Sequence, residues 1–164
     1  MDIRRDWGAN DDHWKGLLAY EPNFFGAKIR FIPDLRECSY FAGAINIDKN
    51  YYKSYKALGL SSQAGLDLMH EFGHYLQDKL MYGEFLYIFE VVIPSRIDIN
   101  LYHTGLLTLK GYEHTSIEVL ANTMAYFYFG CLDYFINNGH YPINTNWLSG
   151  GLIYKLYYHD KFNF

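Results

Sequence analysis

An α+β domain is what the sequence predicts, and three observations carry that reading. Two short strand-like runs lie in the first third of the chain, the hydrophobic period changes to a helical one from Ser61 onward, and no repeat, low-complexity run or linker divides the whole. At 164 residues the chain fits a single domain spanning 1–164. Half of it is hydrophobic and one fifth aromatic, enough for a packed core and an argument against disorder.

The elements follow in order. Residues 1–26 mix Trp7, Trp14, Pro22 and several glycines and read as an arm or loop packed on the body. "AKIRFIP" reads as a short strand, and "SYFAGAINIDKNYY" as another, with Ile45 and Ile47 on one face and Ala44, Asn46 and Asp48 on the other. Its small residues Ala42 and Gly43 would let another group approach closely. Beyond Ser61, the residues Leu66, Met69, Gly73, Leu76 and Leu80 recur at the spacing of one helical face. Ser61 or Ser62 offers an N-cap and Gly83 a stop, which makes a helix of roughly twenty residues. After Pro94 an irregular stretch leads to a second helix, capped by Thr115, apolar nearly all round and expected to run to residues 137–139.

Charge and cysteine usage narrow the function classes. The net charge is -4 and no Lys/Arg block occurs, so the footprint of a nucleic-acid binder is missing. The two cysteines, Cys38 and Cys131, show no CxxC spacing and do not suggest a disulfide framework. The most membrane-like run, "MYGEFLYIFEVVIPSRIDI", is interrupted by Glu84 and Glu90 and closed by Pro94, short of the ~18 apolar residues a span needs. The N-terminus has no apolar signal-peptide core, which leaves a cytoplasmic location or delivery by a secretion system.

The chemistry concentrates in "LMHEFGHYLQ", residues 68–77. His70 and His74 stand at i and i+4, so both imidazoles leave one helix face and can converge on one ion. Glu71 is rotated off that face, too far round to be a comfortable ligand but well placed beside a metal-bound water. That is the layout of a zinc hydrolase, in which the metal lowers the pKa of water towards ~7 and a neighbouring carboxylate takes the proton. A third protein ligand is needed, and Gln77 and Leu80 occupy the places where an extended motif would carry glycine and histidine. "SIEVLAN" on the second helix offers Glu118 and, one turn on, Asn122. Burying such a carboxylate without a partner costs several kcal/mol, often about 3 or more, so something should hold it. A competing reading makes "TSIE" a capping box in which Glu118 reaches back to the Thr115 backbone.

"HEFGH" followed on a separate helix by E-x-x-A-N resembles the gluzincin branch of the zincin metallopeptidases. It is similar in particular to small zincin-like domains of bacterial polymorphic and Rhs-type toxins, in which HEFGHYLQ, Ile-Pro-Ser (here residues 93–95) and E-x-x-A-N follow in that order. The resemblance covers about residues 61–129. It implies a small zincin-like fold: an active-site helix, a buried helix with the third ligand, and a short antiparallel sheet. It further implies Zn2+ at His70, His74 and Glu118, Glu71 as general base, and Asn122 orienting its neighbours. The strand at 41–48 would then form a sheet edge above the cleft, open to an added peptide strand. For the oxyanion the family supplies a His or Tyr donor. His103, Tyr112 and His114 are the candidates, and His114 is paired with Glu71 as the catalytic assignment. Ser116 and Ile117 depart from the bulky aromatic and threonine expected ahead of Glu118.

The resulting expectation is a zinc metallopeptidase acting on a protein or peptide, with an immunity protein as partner if the chain is a toxin domain. The competing expectations are hydrolysis of another amide such as a peptidoglycan stem peptide, a non-catalytic zinc-stapled fold, and a membrane-surface binding module.

Overall fold

The computed structural model describes residues 22–82, 91–106, 108–137 and 139–158. Most of the expected N-terminal arm, the expected stop at Gly83, and Glu84 and Glu90 lie outside them.

Four short strands form one sheet: β1 (Asn23–Phe24), β2 (Ala27–Phe31), β3 (Ser39–Phe41) and β4 (Ala44–Ile47), in the order β1-β2-β4-β3. The end of the expected arm is therefore a strand. The single strand expected over "SYFAGAINI" is instead a hairpin. Ala42 and Gly43 take left-handed φ values of 52° and 74°, the conformation of a two-residue turn whose twist matches the strands it joins. These small residues reverse the chain; they do not open a strand to a visitor. Phe25 and Gly26, at 50° and 95°, turn β1 into β2 in the same way.

The sheet is mixed, not antiparallel. β1 pairs antiparallel with β2, and β3 with β4, but β4 runs parallel to β2, with Ile29 opposite Ile45 and Phe31 opposite Ile47. The physical reason is the path of residues 32–38, which carries the chain past the position of β4 to make β3 the edge. The hairpin then returns β4 into the middle. The edge thus falls at 39–41, and every residue of β4 is buried, as a strand covered on both faces requires.

Helix α1 (Lys49–Leu58) starts at Asp48, whose carboxylate accepts from the Asn50 and Tyr51 N–H groups. Helix α2 (Gln63–Gln77) starts at Ser62, whose Oγ accepts from the Gly65 N–H, and continues as a π-helical turn over Asp78–Tyr82. Helix α3 (Ile93–His103) has Pro94 in its first turn, where the missing N–H costs nothing. Then follow α4 (Leu109–Glu113), α5 (Ser116–Tyr128), α6 (Asp133–Ile136), a 3-10 turn (Thr145–Trp147) and α7 (Gly150–Tyr157).

The second helix ends nine or more residues earlier than its apolar content suggests. Gly130 and Cys131 both adopt left-handed φ, 82° and 61°, and their N–H groups return to the carbonyls of Phe127 and Tyr126, which closes the helix. The apolar residues beyond the break still enter the core: Phe135 on α6 is fully buried and stacks on Tyr141 with ring centroids 5.1 Å apart.

The core lies between the sheet and the α2/α5 pair. Leu68, Met69, Leu76 and Met124 are fully buried, and Phe72 packs among Phe24, Tyr128 and Phe129 at ring separations of 5.8, 4.6 and 5.4 Å. Each such side chain contributes about 1.5–3 kcal/mol by leaving water. No helix among the described residues is long and apolar enough to cross a membrane.

Candidate metal centre

The α2/α5 packing brings the predicted ligand residues together. His70 and His74 project from α2 toward α5, where Glu118 occupies the first turn. Glu118 Oε2 lies 3.1 Å from His70 Nε2 and 3.3 Å from His74 Nε2. One atom from each of the three residues falls within a span of 4.8 Å, so the group can hold a metal ion. Glu118 and His74 are buried and His70 is nearly so.

Whether the group suits a cation is decided by hydrogen atoms. Asn122 donates its amide Nδ2 to the Pro142 carbonyl at 3.1 Å, which turns its Oδ1 toward His70 Nδ1 at 2.7 Å. Gln77 does the same for the other ring: its Nε2 donates to the Ile117 carbonyl at 3.0 Å and its Oε1 meets His74 Nδ1 at 2.8 Å. An amide oxygen can only accept, so each Nδ1 carries hydrogen and a neutral ring keeps its lone pair on Nε2. Two lone pairs and a carboxylate oxygen then point into one buried space, which needs either protons or a metal ion to be stable.

The electrostatics agree. Burial opposes charge on His70, but the hydrogen bond to Glu118 and the charges of Glu71 and Glu118 push its pKa up to about 10. His74 is raised as well, burial being outweighed by Glu118. Burial alone would raise Glu118, yet the His74 charge and the hydrogen bonds from both rings hold it well below the usual carboxylate range. The site attracts positive charge.

Glu118 forms no capping box. Thr115 is the N-cap residue by backbone conformation but makes no side-chain cap bond, and its Oγ1 is buried without a partner. The glutamate faces the histidines, and its second oxygen, Oε1, accepts from Ser95 Oγ on α3 at 3.3 Å. The Ile-Pro-Ser segment thereby joins the site. Ile117 serves the site through its backbone, since its carbonyl anchors Gln77.

Glu71 stands beside the three without joining them. It is buried, its Oε1 is 3.9 Å from His70 Nε2, and its Oε2 accepts from the Tyr40 backbone N–H at 2.6 Å. Tyr40 also donates its hydroxyl to Asp78 Oδ2 at 2.7 Å, so β3 is fastened both to α2 and to the π-helical turn that continues it. Burial raises the pKa of Glu71, against the pull of the two imidazoles. Because the Tyr40 N–H is spent on Glu71, the centre of the edge strand has no free outward donor for an added strand.

Two cavities meet at this cluster. One, of about 440 Å³, is bounded by β3, α3 and the residues of the cluster; the other, of about 380 Å³, extends toward Asn122, Tyr141 and Glu113. His70, Glu71 and Glu118 line both. Of the suggested oxyanion donors, His103 lines the larger cavity from the end of α3. His114 is exposed and lines neither, so the structure does not bring it to Glu71. The Tyr112 side chain lies outside the described residues. Glu113 ends α4 and pairs with His140 Nδ1 at 3.0 Å.

Sequence reasoning missed Gln77, Ser95, Tyr40 and Tyr141. Gln77 carried a usable signal, an amide three residues after the second histidine and on the same helix face. Tyr141 carried none: its ring lies 5.6 Å from that of His70, and its hydroxyl is given to Asp67, which also accepts from Tyr51 and from Gln63 Nε2 at 2.8 Å. The cysteines are both free. No protein-family model matches the chain, and no curated protein and no solved structure is significantly similar to it, so the site stands on its own geometry.

Proposed function

We propose that the protein is a zinc-dependent hydrolase of peptide bonds. The observation that supports this best is the pairing of a three-residue ligand group with a buried carboxylate that is not part of it, both open to the same cleft. Zinc suits two imidazoles and one carboxylate, and when bound there it would supply a Lewis acid able to polarise a carbonyl and activate water at neutral pH.

The chain's own residues do the rest. His70, His74 and Glu118 bind, and Asn122 and Gln77 keep both rings in the binding tautomer. With Oε2 of Glu71 fixed by Tyr40, Oε1 is the oxygen free to accept a proton from the attacking water and to deliver it to the leaving nitrogen. A carboxylate whose pKa is raised by burial is suited to both tasks. The likeness of the two motifs to gluzincins supports the same reading.

A purely structural role for the metal has less in its favour. Helices α2 and α5 already touch backbone to backbone at Gly73 and Ala121, and a staple has no use for Glu71 or for a cleft. The experiment is metal analysis of the purified protein, followed by incubation of the zinc-loaded form with unfolded protein substrates. One zinc per chain and cleavage that drops ~100-fold or more in Glu71→Gln, with zinc retained, is the expected result. Zinc-dependent stability with no cleavage and no effect of Glu71→Gln would replace the hydrolase by the staple.

A further inference from the structure

The two cavities that meet at the ligand group differ in the charged residues each adds to a shared lining. Arg36, Glu37, His70, Glu71 and Glu118 are common to both. Beyond these, the larger cavity adds Arg96, from α3, together with His103. The smaller adds the carboxylates of Asp67 and Glu113. Those two carboxylates are occupied, Asp67 by two tyrosines and Gln63, and Glu113 by His140. Arg96 is not: among the described residues it makes no ion pair and no hydrogen bond.

An exposed arginine on a helix is usually just solvated; Arg96 is set apart by its placement. Arg96 follows Ser95, the residue that holds Glu118, and it faces into the cleft. The nearest acid along α3, Asp98, is two positions on and so turned away from it. A guanidinium left without a carboxylate beside a cleft is a fork of donors matched to one.

We propose that the cleft selects peptides with an acidic side chain on the α3 side of the bound segment, and that Arg96 is the selecting residue. This rests on the hydrolase reading for the consequence of binding, not for the binding itself. A cationic centre in the ligand group adds to the same preference, and the acidic lining of the opposite cavity disfavours an acidic residue there. The bound peptide is therefore oriented by its charge.

The test uses zinc-loaded Glu71→Gln, so that bound peptides persist, and fluorescein-labelled ten-residue alanine-based peptides bearing one Glu, Gln or Lys at each position in turn. Fluorescence anisotropy reads the affinity. Glu peptides are expected to bind about tenfold or more tightly than their Gln counterparts, the worth of a hydrogen bond to a charged partner. Adding Arg96→Ala should remove that difference, Arg96→Lys should keep part of it, and Arg96→Glu should favour Lys peptides. Zinc content and the melting temperature of each variant, unchanged for an exposed residue, exclude a folding defect. Equal affinity for Glu and Gln peptides, a difference that survives Arg96→Glu, or no binding by any peptide would overturn the proposal. If the wild type leaves intact the peptides that Glu71→Gln binds selectively, the hydrolase reading fails and the acidic selectivity stands.

Discussion

Gly73 and Ala121 are in backbone contact: a Cβ built on Gly73 would fall 2.1 Å from the Ala121 carbonyl oxygen. This contact sets the distance between α2 and α5. One residue to one side of Gly73 is His74, three to the other is His70, and three before and one after Ala121 are Glu118 and Asn122. The glycine at the centre of HEFGH therefore serves the site by permitting an approach that no side chain allows.

Gly73→Ala is expected to destabilise the protein by at least the ~1–3 kcal/mol usual for overpacking, because the obstacle is a carbonyl and not a side chain that can rotate away. Zinc affinity should fall with it, since parting the helices pulls Glu118 from both rings. Denaturant unfolding and zinc titration of the same sample check both. A variant as stable as the wild type would mean that the helices can separate without loss.

The roles of the two amides separate from that of the carboxylate. Glu118→Gln should weaken zinc binding far more than either Gln77→Ala or Asn122→Ala, each of which should cost about 10- to 100-fold by releasing one ring from its orientation. Competition with a chelator of known affinity gives the ranking. If Glu118→Gln binds zinc as the wild type does, Glu118 is not a ligand.

Much of this centre was legible in the sequence, and the reason is local. The i, i+4 spacing of His70 and His74, the start of α2 at Ser62 and the polar pair Glu118 and Asn122 on a greasy helix all follow from helical geometry, which a chain reveals within a few residues. What was not legible depends on contacts distant in sequence. That residues 39–47 are a hairpin, with β4 parallel to β2, hinges on Ala42 accepting a left-handed φ that alanine usually avoids. The end of α5 at Tyr128 hinges on Cys131 doing the same. Tyr40 and Tyr141 reach the site from 31 and 74 positions away from their partners Glu71 and Asp67, and no motif announces them.

If zinc is held by the ligand group, protons and metal compete for the same atoms, and the pH response with zinc should differ from that without it. In the metal-free form the folded pKa of His70 stands near 10, above its ordinary 6.5, so its stabilising effect is whole below pH 6.5 and lost as pH rises toward 10. Glu118 is depressed, so its effect is whole above 4.5 and lost on acidification. Metal-free protein should thus melt at falling temperature from pH 6.5 to 10. Zinc-loaded protein should not, because binding releases those protons and tightens by up to about tenfold per pH unit for each proton displaced. Parallel melting curves with zinc and with chelator check this; identical pH profiles would show that zinc does not bind at the histidines.

The orphaned hydroxyl of Thr115 shows a conflict between two demands on one side chain. A glutamate three residues after a threonine cap would ordinarily help to nucleate its own helix, and here that help is withdrawn because Glu118 faces across to α2. Local folding has yielded to long-range assembly at the first turn of α5. The start of that helix is consequently a place where the protein is less stable than its sequence allows. Thr115→Val, which removes a hydroxyl that bonds to nothing while keeping its shape, should leave zinc affinity intact and hold or raise the melting temperature. Amide hydrogen exchange would show the same imbalance directly: the first turn of α5 should open easily in metal-free protein and become protected when zinc ties Glu118 to the neighbouring helix.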